Sequence, residues 1–168
     1  MGKVFVRIDD RLIHGQIMAA WCNHLDVTEI IGIDDKTANN QMLKQIMTMS
    51  VPKKYKCSVI TIEQAKEALK KETTGNRLVI LRFPEKLEEL HQELTGAEMI
   101  IIGNVAKKPE SKYEVSSGTS VFFLTEKDVE VLDSFAKEGM KVIFRTVPTS
   151  AEKSWEGFMN SKHSYFKG

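Results

Sequence analysis

Short runs of β-branched and aliphatic residues alternate along the chain with longer stretches whose apolar positions recur every three or four residues. The first pattern is that of strands, the second that of helices lying on a core. It predicts strands at Val4–Ile8, Glu29–Ile33, Cys57–Ile62, Leu78–Leu81, Met99–Ile102, Val121–Leu124 and Lys141–Phe144. Helices are expected over Gly15–His24, Ala38–Ser50, Ile62–Lys71, Glu85–Glu93 and Glu126–Glu138. In the last of these Val129, Leu132, Phe135 and Ala136 share one face. Thr125, with Asp128 three residues on, supplies its cap, and Gly139 its stop.

Strands alternating with helices of this length make βαβ units. The fold class expected is α/β, an open twisted, mainly parallel sheet of about six or seven strands with helices on both faces. At 168 residues the chain is expected to be a single domain, 1–168. Such sheets place their functional crevice outside the carboxyl ends of the strands. The five arginines bear on this. Arg7, Arg82 and Arg145 fall at or just past predicted strand carboxyl ends, Arg11 lies in the loop beyond the first, and only Arg77 precedes its strand. Arginine's planar fork suits phosphate or carboxylate, so the edge reads as an anion site. The plainer alternative pairs these arginines with Asp9, Asp10, Asp34 and Asp35 to hold loops.

Charge and composition narrow the field. A formal net charge of +1 gives no overall field for nucleic acid or an anionic membrane, so none is expected as a partner. No apolar run approaches the roughly 20 residues of a membrane helix. Cys22 and Cys57 lie far apart with no CxxC, which fits a reduced, cytoplasmic protein without disulfides. No GxGxxG is present, "GIDDKT" has Asp35 where a phosphate loop needs glycine, and no serine sits in a GxSxG elbow. Cys22 and His24 fall on different helix faces, so no metal and no cofactor are expected. His24, His91 and His163 have no ligand company. The polar interruption Lys107–Ser120 is expected to hold a short extra strand or a loop bordering the crevice.

One histidine remains, in "VFVRIDDRLIHGQI". His14 precedes a predicted helix start, where unpaired backbone N–H groups favour an anion. Gly15 admits close backbone approach, and Arg11 is three residues back. Neutral imidazole is a competent nucleophile whose phosphoramidate has a weak P–N bond, and phosphoryl transfer asks mainly for positioning and charge stabilisation. His14 is therefore the expected phosphoryl-accepting nucleophile, Arg11 the phosphoryl clamp and Asp10 the orienting group. Asp9 or Asp10 would orient an arginine or accept a proton from the unreactive ring nitrogen. Asp9, Gly15 and Gln16 of the loop, with Arg7, Asp34, Arg82 and Arg145 on the same edge, complete the candidate site. Against this stands a purely structural histidine at a helix start.

"RIDDRLIHGQ" resembles the signature of the enzyme IIB component of the mannose/fructose/sorbose family of the bacterial phosphoenolpyruvate-dependent sugar phosphotransferase system. "IIGIDDKTANNQ" at Ile30–Gln41, "IGN" at Ile102–Asn104 and "FRTVPTS" at Phe144–Ser150 resemble its later landmarks in order. Gly103 and Asn104 stand where a glycine pair is common. The resemblance implies a cytoplasmic subunit, peripherally associated with the membrane permease, whose sheet is mainly parallel with one antiparallel strand. It implies that His14 takes a phosphoryl group on Nδ1 from a phosphohistidine of IIA and passes it to a sugar carried by the membrane components IIC and IID. The sugar would be mannose, fructose, sorbose or an amino sugar such as N-acetylgalactosamine. Oligomerisation is compatible with the pattern. Two other functions use the same residues: a non-catalytic anion- or protein-binding regulatory module, and a phosphohistidine-type phosphatase with Asp9 or Asp10 as general acid.

Overall fold

The computed structural model describes residues 2–161, and its first strand, β1 (Val4–Asp9), occupies the middle of a seven-stranded sheet. The chain continues through α1 (Gly15–Leu25), β2 (Val27–Ile33), α2 (Asp35–Ala38), α3 (Gln41–Met49), β3 (Lys56–Ile60), α4 (Ile62–Ala68) and β4 (Asn76–Leu81). A 3-10 helix over Pro84–Leu90 leads into α5 (His91–Leu94), then β5 (Met99–Asn104), β6 (Tyr113–Ser117) and β7 (Ser120–Leu124). α6 (Glu126–Lys137), β8 (Lys141–Phe144), β9 (Lys153–Ser154) and α7 (Trp155–Ser161) complete it. His163 and the tail from Lys162 onward lie outside the described residues.

The strand order is β3-β2-β4-β1-β5-β8-β9, parallel except for β9, which pairs antiparallel with β8. β1 sends the chain to one side, toward β2, while its neighbours β4 and β5 send it to the other. The loop after β1 therefore emerges where connection direction reverses, the place at which open α/β sheets form their crevice. Strands β1, β4 and β5 are covered on both faces, which is why their sequences are nearly continuous apolar runs. Val6, Ile8, Val79, Leu81, Ile100 and Ile102 face one core with α6. Phe5, Leu78, Ile80 and Ile101 face the other with Met18 and Trp21 of α1. Each such buried side chain is worth about 1.5–3 kcal/mol relative to exposure.

Three expectations change. The strand predicted at Val121–Leu124 is not in the main sheet; β7 pairs with β6 as a separate antiparallel hairpin, so the polar segment before it does hold an extra strand. The helix predicted over Ala38–Ser50 starts later, at Gln41, because Asn40 caps α3 with extended backbone and its side chain accepting from the Leu43 N–H, while Ala38 ends the separate α2. The stretch predicted as a helix over Glu85–Glu93 is mostly 3-10, entered through Pro84. The Thr125–Asp128 capping box forms as expected, and Gly139 takes the left-handed φ of 93° that a helix stop requires.

Candidate functional site

Alternation along β1 sets the site. Phe5, Arg7 and Asp9 are two apart, and the Arg7 guanidinium lies over the ring of Trp21, 5.6 Å from its centroid, on the α1 side of the sheet. Arg7 and Asp9 are both fully buried, and Arg7 Nη2 donates to Asp9 Oδ2 at 3.2 Å. Space for the guanidinium comes from β5. The β1–β5 register slips between Ile8 and Asp9, leaving Gly103 unmatched, and a Cβ on Gly103 would lie 2.1 Å from Arg7 Cζ.

Asp9 is the hub. Its Oδ2 lies 2.7 Å from His14 Nε2, and its Oδ1 accepts from the Arg11 backbone N–H at 3.0 Å, with Arg11 Nε 3.8 Å away. Burial alone would raise its carboxyl pKa, but the His14 hydrogen bond, the Arg7 charge and the Arg11 N–H together hold it below the usual carboxylate range. Burial lowers the Arg7 pKa, opposed by Asp9; the pair is read as ionised, since arginine starts from so high a value. In a neutral ring, an Nε2–H donated to an anionic Asp9 leaves Nδ1 as the nitrogen with a free lone pair.

The loop that carries His14 is pinned from below. The Leu12 N–H donates to the Asp9 carbonyl at 2.9 Å, and Leu12 takes a left-handed φ of 62°. That conformation costs about 1–2 kcal/mol for a non-glycine residue, which the complete burial of the Leu12 side chain offsets. Gly32 makes room for the loop, since a Cβ there would lie 2.9 Å from Ile13 Cδ1. His14 is the N-cap residue of α1, and its side chain, 24% exposed, makes no cap bond of its own. The amides of the first turn thus lack an intrahelical acceptor, and no acid sits in that turn. Gln16 is exposed there, and the Arg11 side chain, reaching toward Asp9, is 57% exposed.

Several expected roles change. Asp10 does not orient the ring; it lies beyond the end of β1, where Asn104 Nδ2 donates to its Oδ1 at 2.6 Å and the Ala106 N–H to its Oδ2 at 3.0 Å. Arg7 has no exposed surface with which to hold an anion, and its task is to support Asp9. Asp34 caps α2, accepting from the Thr37 N–H and hydroxyl. Arg145 braces its own loop through the Ser150 carbonyl at 3.0 Å and Glu152. Arg82 donates to the Asp10 carbonyl at 2.8 Å and flanks a cleft of about 270 Å3 lined by Asp10, Arg11, Phe83, Ala106 and Lys108. The close approach that Gly15 permits is to protein: a Cβ there would lie 2.1 Å from the Ser50 carbonyl oxygen at the end of α3. Gly103, Asn104 and Trp21 were not among the expected site residues, although "IGN" carried the first two. Neither cysteine competes as a nucleophile, since burial pushes the Cys22 thiol up to about 12 and the Cys57 thiol to about 11.

An open parallel sheet presenting an imidazole against a buried carboxylate at its crevice, with a helix start and an arginine nearby, is an arrangement suited to transferring a group through histidine. The family model of the PTS system sorbose subfamily IIB component matches residues 3–167, and the chain belongs to that family of phosphotransferase subunits. It is 24% identical over 157 residues to the PTS system fructose-specific EIIB component of Bacillus subtilis, covering 92% of this chain and 94% of that protein. It is 28% identical over 145 residues to the PTS system mannose-specific EIIAB component of Escherichia coli, covering 85% of this chain and 44% of that longer protein. The fold is that of the IIBSor domain of the sorbose permease from Klebsiella pneumoniae, with a TM-score of 0.81 at 21% identity over 96% of this chain and 98% of that one. The protein is thus a IIB phosphotransfer subunit of a sugar phosphotransferase system. No helix among the described residues is long and apolar enough to cross a membrane.

Proposed function

We propose that His14 is the residue that carries the phosphoryl group, accepting it at Nδ1 from a phosphohistidine of a IIA protein or domain. The group then passes to a sugar held by membrane IIC and IID components, with this subunit cytoplasmic and bound at their surface. The observation that carries this reading is the 2.7 Å contact between Asp9 and His14 Nε2, which ties the proton to one nitrogen and frees the other. In the transfer the Nδ1 lone pair forms the new P–N bond. The donor's P–N bond breaks with its electron pair left on the donor ring, and the Nε2 proton stays between His14 and Asp9. Arg11 and the first-turn amides of α1 meet the oxygens of the phosphoryl group in flight. The Escherichia coli relative, whose printed name joins A and B in one chain, supports a IIA partner.

The test is labelling with phosphoenolpyruvate, enzyme I, the histidine-containing carrier protein and a cognate IIA. Wild type is expected to gain one acid-labile, alkali-stable phosphoryl group, and His14→Ala none. Equal uptake by His14→Ala overturns the assignment.

A further inference from the structure

Helix α3 has an outward face that its own fold leaves uncovered. Met42, Ile46 and Met49 follow one another at spacings of four and three residues and so form one stripe. They are 71%, 59% and 82% exposed. Gln41 and Gln45 beside them are exposed and uncharged, and the only charged residue of the helix, Lys44, is half-buried on the other side. Isolated exposed apolar residues are ordinary, whereas a contiguous stripe marks an interaction surface.

The stripe lies beside the nucleophile. α3 ends at Met49, and the carbonyl of the next residue, Ser50, abuts Gly15, the neighbour of His14. Two imidazoles exchanging a phosphoryl group each reach only one side chain beyond their own backbones, so the two protein surfaces must close around the pair. A specific interface covers about 800 Å2 on each partner, a disc of roughly 16 Å radius. From Met49 back to Met42 the helix runs only about 10 Å at its ordinary rise per residue. A donor centred on His14 therefore has a footprint wide enough to take in a stripe whose helix ends beside Gly15. Methionine adapts its shape at low cost, which suits a contact made and broken at every turnover.

From this placement we infer that Met42, Ile46 and Met49 form the docking stripe for the phosphohistidine-bearing IIA donor. The inference rests on the phosphocarrier reading of His14. The donor's complementary surface is apolar around its anionic phosphohistidine, which Arg11 and the start of α1 receive.

The experiment compares the full chain with Ile46→Lys/Met49→Lys and with the conservative Met49→Leu. Each is phosphorylated by limiting phospho-IIA and, separately, by phosphoramidate, a small donor that needs no docking. The double variant is expected to lose roughly tenfold or more in kcat/KM with phospho-IIA, mainly through KM, as loss of interface anchors does. Its labelling by phosphoramidate should match wild type, and Met49→Leu should match wild type with both donors. Unchanged transfer from phospho-IIA overturns the inference. So does a defect confined to the later step with the membrane components, or a wild-type dimer in sedimentation that the double variant breaks. A wild-type chain labelled by neither donor would instead overturn the phosphocarrier reading itself, and the docking role with it.

Discussion

Asp9 Oδ2 lies 2.7 Å from Nε2 of His14, and in the proposed transfer that contact keeps the proton on Nε2 and Nδ1 free to react. Asp9→Asn retains the shape and changes the electrostatics. A carboxamide can donate to Nε2, which shifts the proton to Nδ1 and removes the nucleophilic lone pair. Phosphoryl uptake should fall by roughly 10²–10⁴-fold, the usual range for losing a positioned proton acceptor. Imidazole nitrogen NMR of wild type is expected to show Nε2–H, and of the variant Nδ1–H. A variant with the wild-type tautomer and wild-type uptake would refute the role.

The second layer is as specific as the first. Gly103→Ala places a methyl group 2.1 Å from Arg7 Cζ, so the guanidinium must move off Asp9. Overpacking of this kind costs about 1–3 kcal/mol, and at this chain length each kcal/mol lowers Tm by roughly 2–4 °C. A double-mutant cycle isolates the cause: in an Arg7→Met background, which shortens the side chain, the Gly103→Ala penalty should shrink. An undiminished penalty would mean that the methyl group collides with something other than Arg7.

Much of this architecture was legible in the sequence because the central strands are buried on both faces and therefore spell themselves as apolar runs. Arg7 and Asp9 were legible as charges but not as partners. Their shared face follows from the two-residue period of β1, yet the vacancy that admits the guanidinium is supplied by Gly103, nearly a hundred residues away. Asp10 was the natural choice to orient the ring, being nearer in sequence. It lies past the end of the strand, where the alternation that aims Asp9 no longer applies, and Asn104 claims it instead. The break between α2 and α3 was signalled by Asn39–Asn40, but the helical spacing of apolar residues ran straight through it. That spacing also hid the fact that half of those residues face outward.

Gly15 joins α1, the helix that follows His14, to α3. Gly15→Ala sets a methyl group 2.1 Å from the Ser50 carbonyl oxygen, a backbone atom that cannot rotate away, so α1 and α3 must separate. The expected loss is about 1–3 kcal/mol, read from denaturant unfolding. Amide hydrogen exchange should quicken in α3 and the first turn of α1 while the β4–β1–β5 strands keep their protection. Exchange that quickens uniformly would indicate a global effect instead.

Asp9 and Asp128, both fully buried, should leave opposite marks on stability as pH changes. Asp9 has its carboxyl pKa held below that of the unfolded chain, about 3.9. Its contribution is therefore present above that value and is lost as pH falls through the lower folded pKa. At Asp128 burial dominates and raises the pKa; Oδ2 accepts from the Thr125 N–H at 3.0 Å, but Oδ1 has no hydrogen-bond partner. The folded protein keeps that proton at pH values where the unfolded chain releases it. Stability consequently declines as pH rises from about 3.9 through the raised folded pKa, beyond which the loss is complete. Thermal melts between pH 3 and pH 7 check both signs. The Tm of Asp128→Asn relative to wild type should climb with pH, and that of Asp9→Asn should fall across the acid end and then level off. Parallel curves for the two variants would show that Asp128 is ionised in the fold as readily as Asp9.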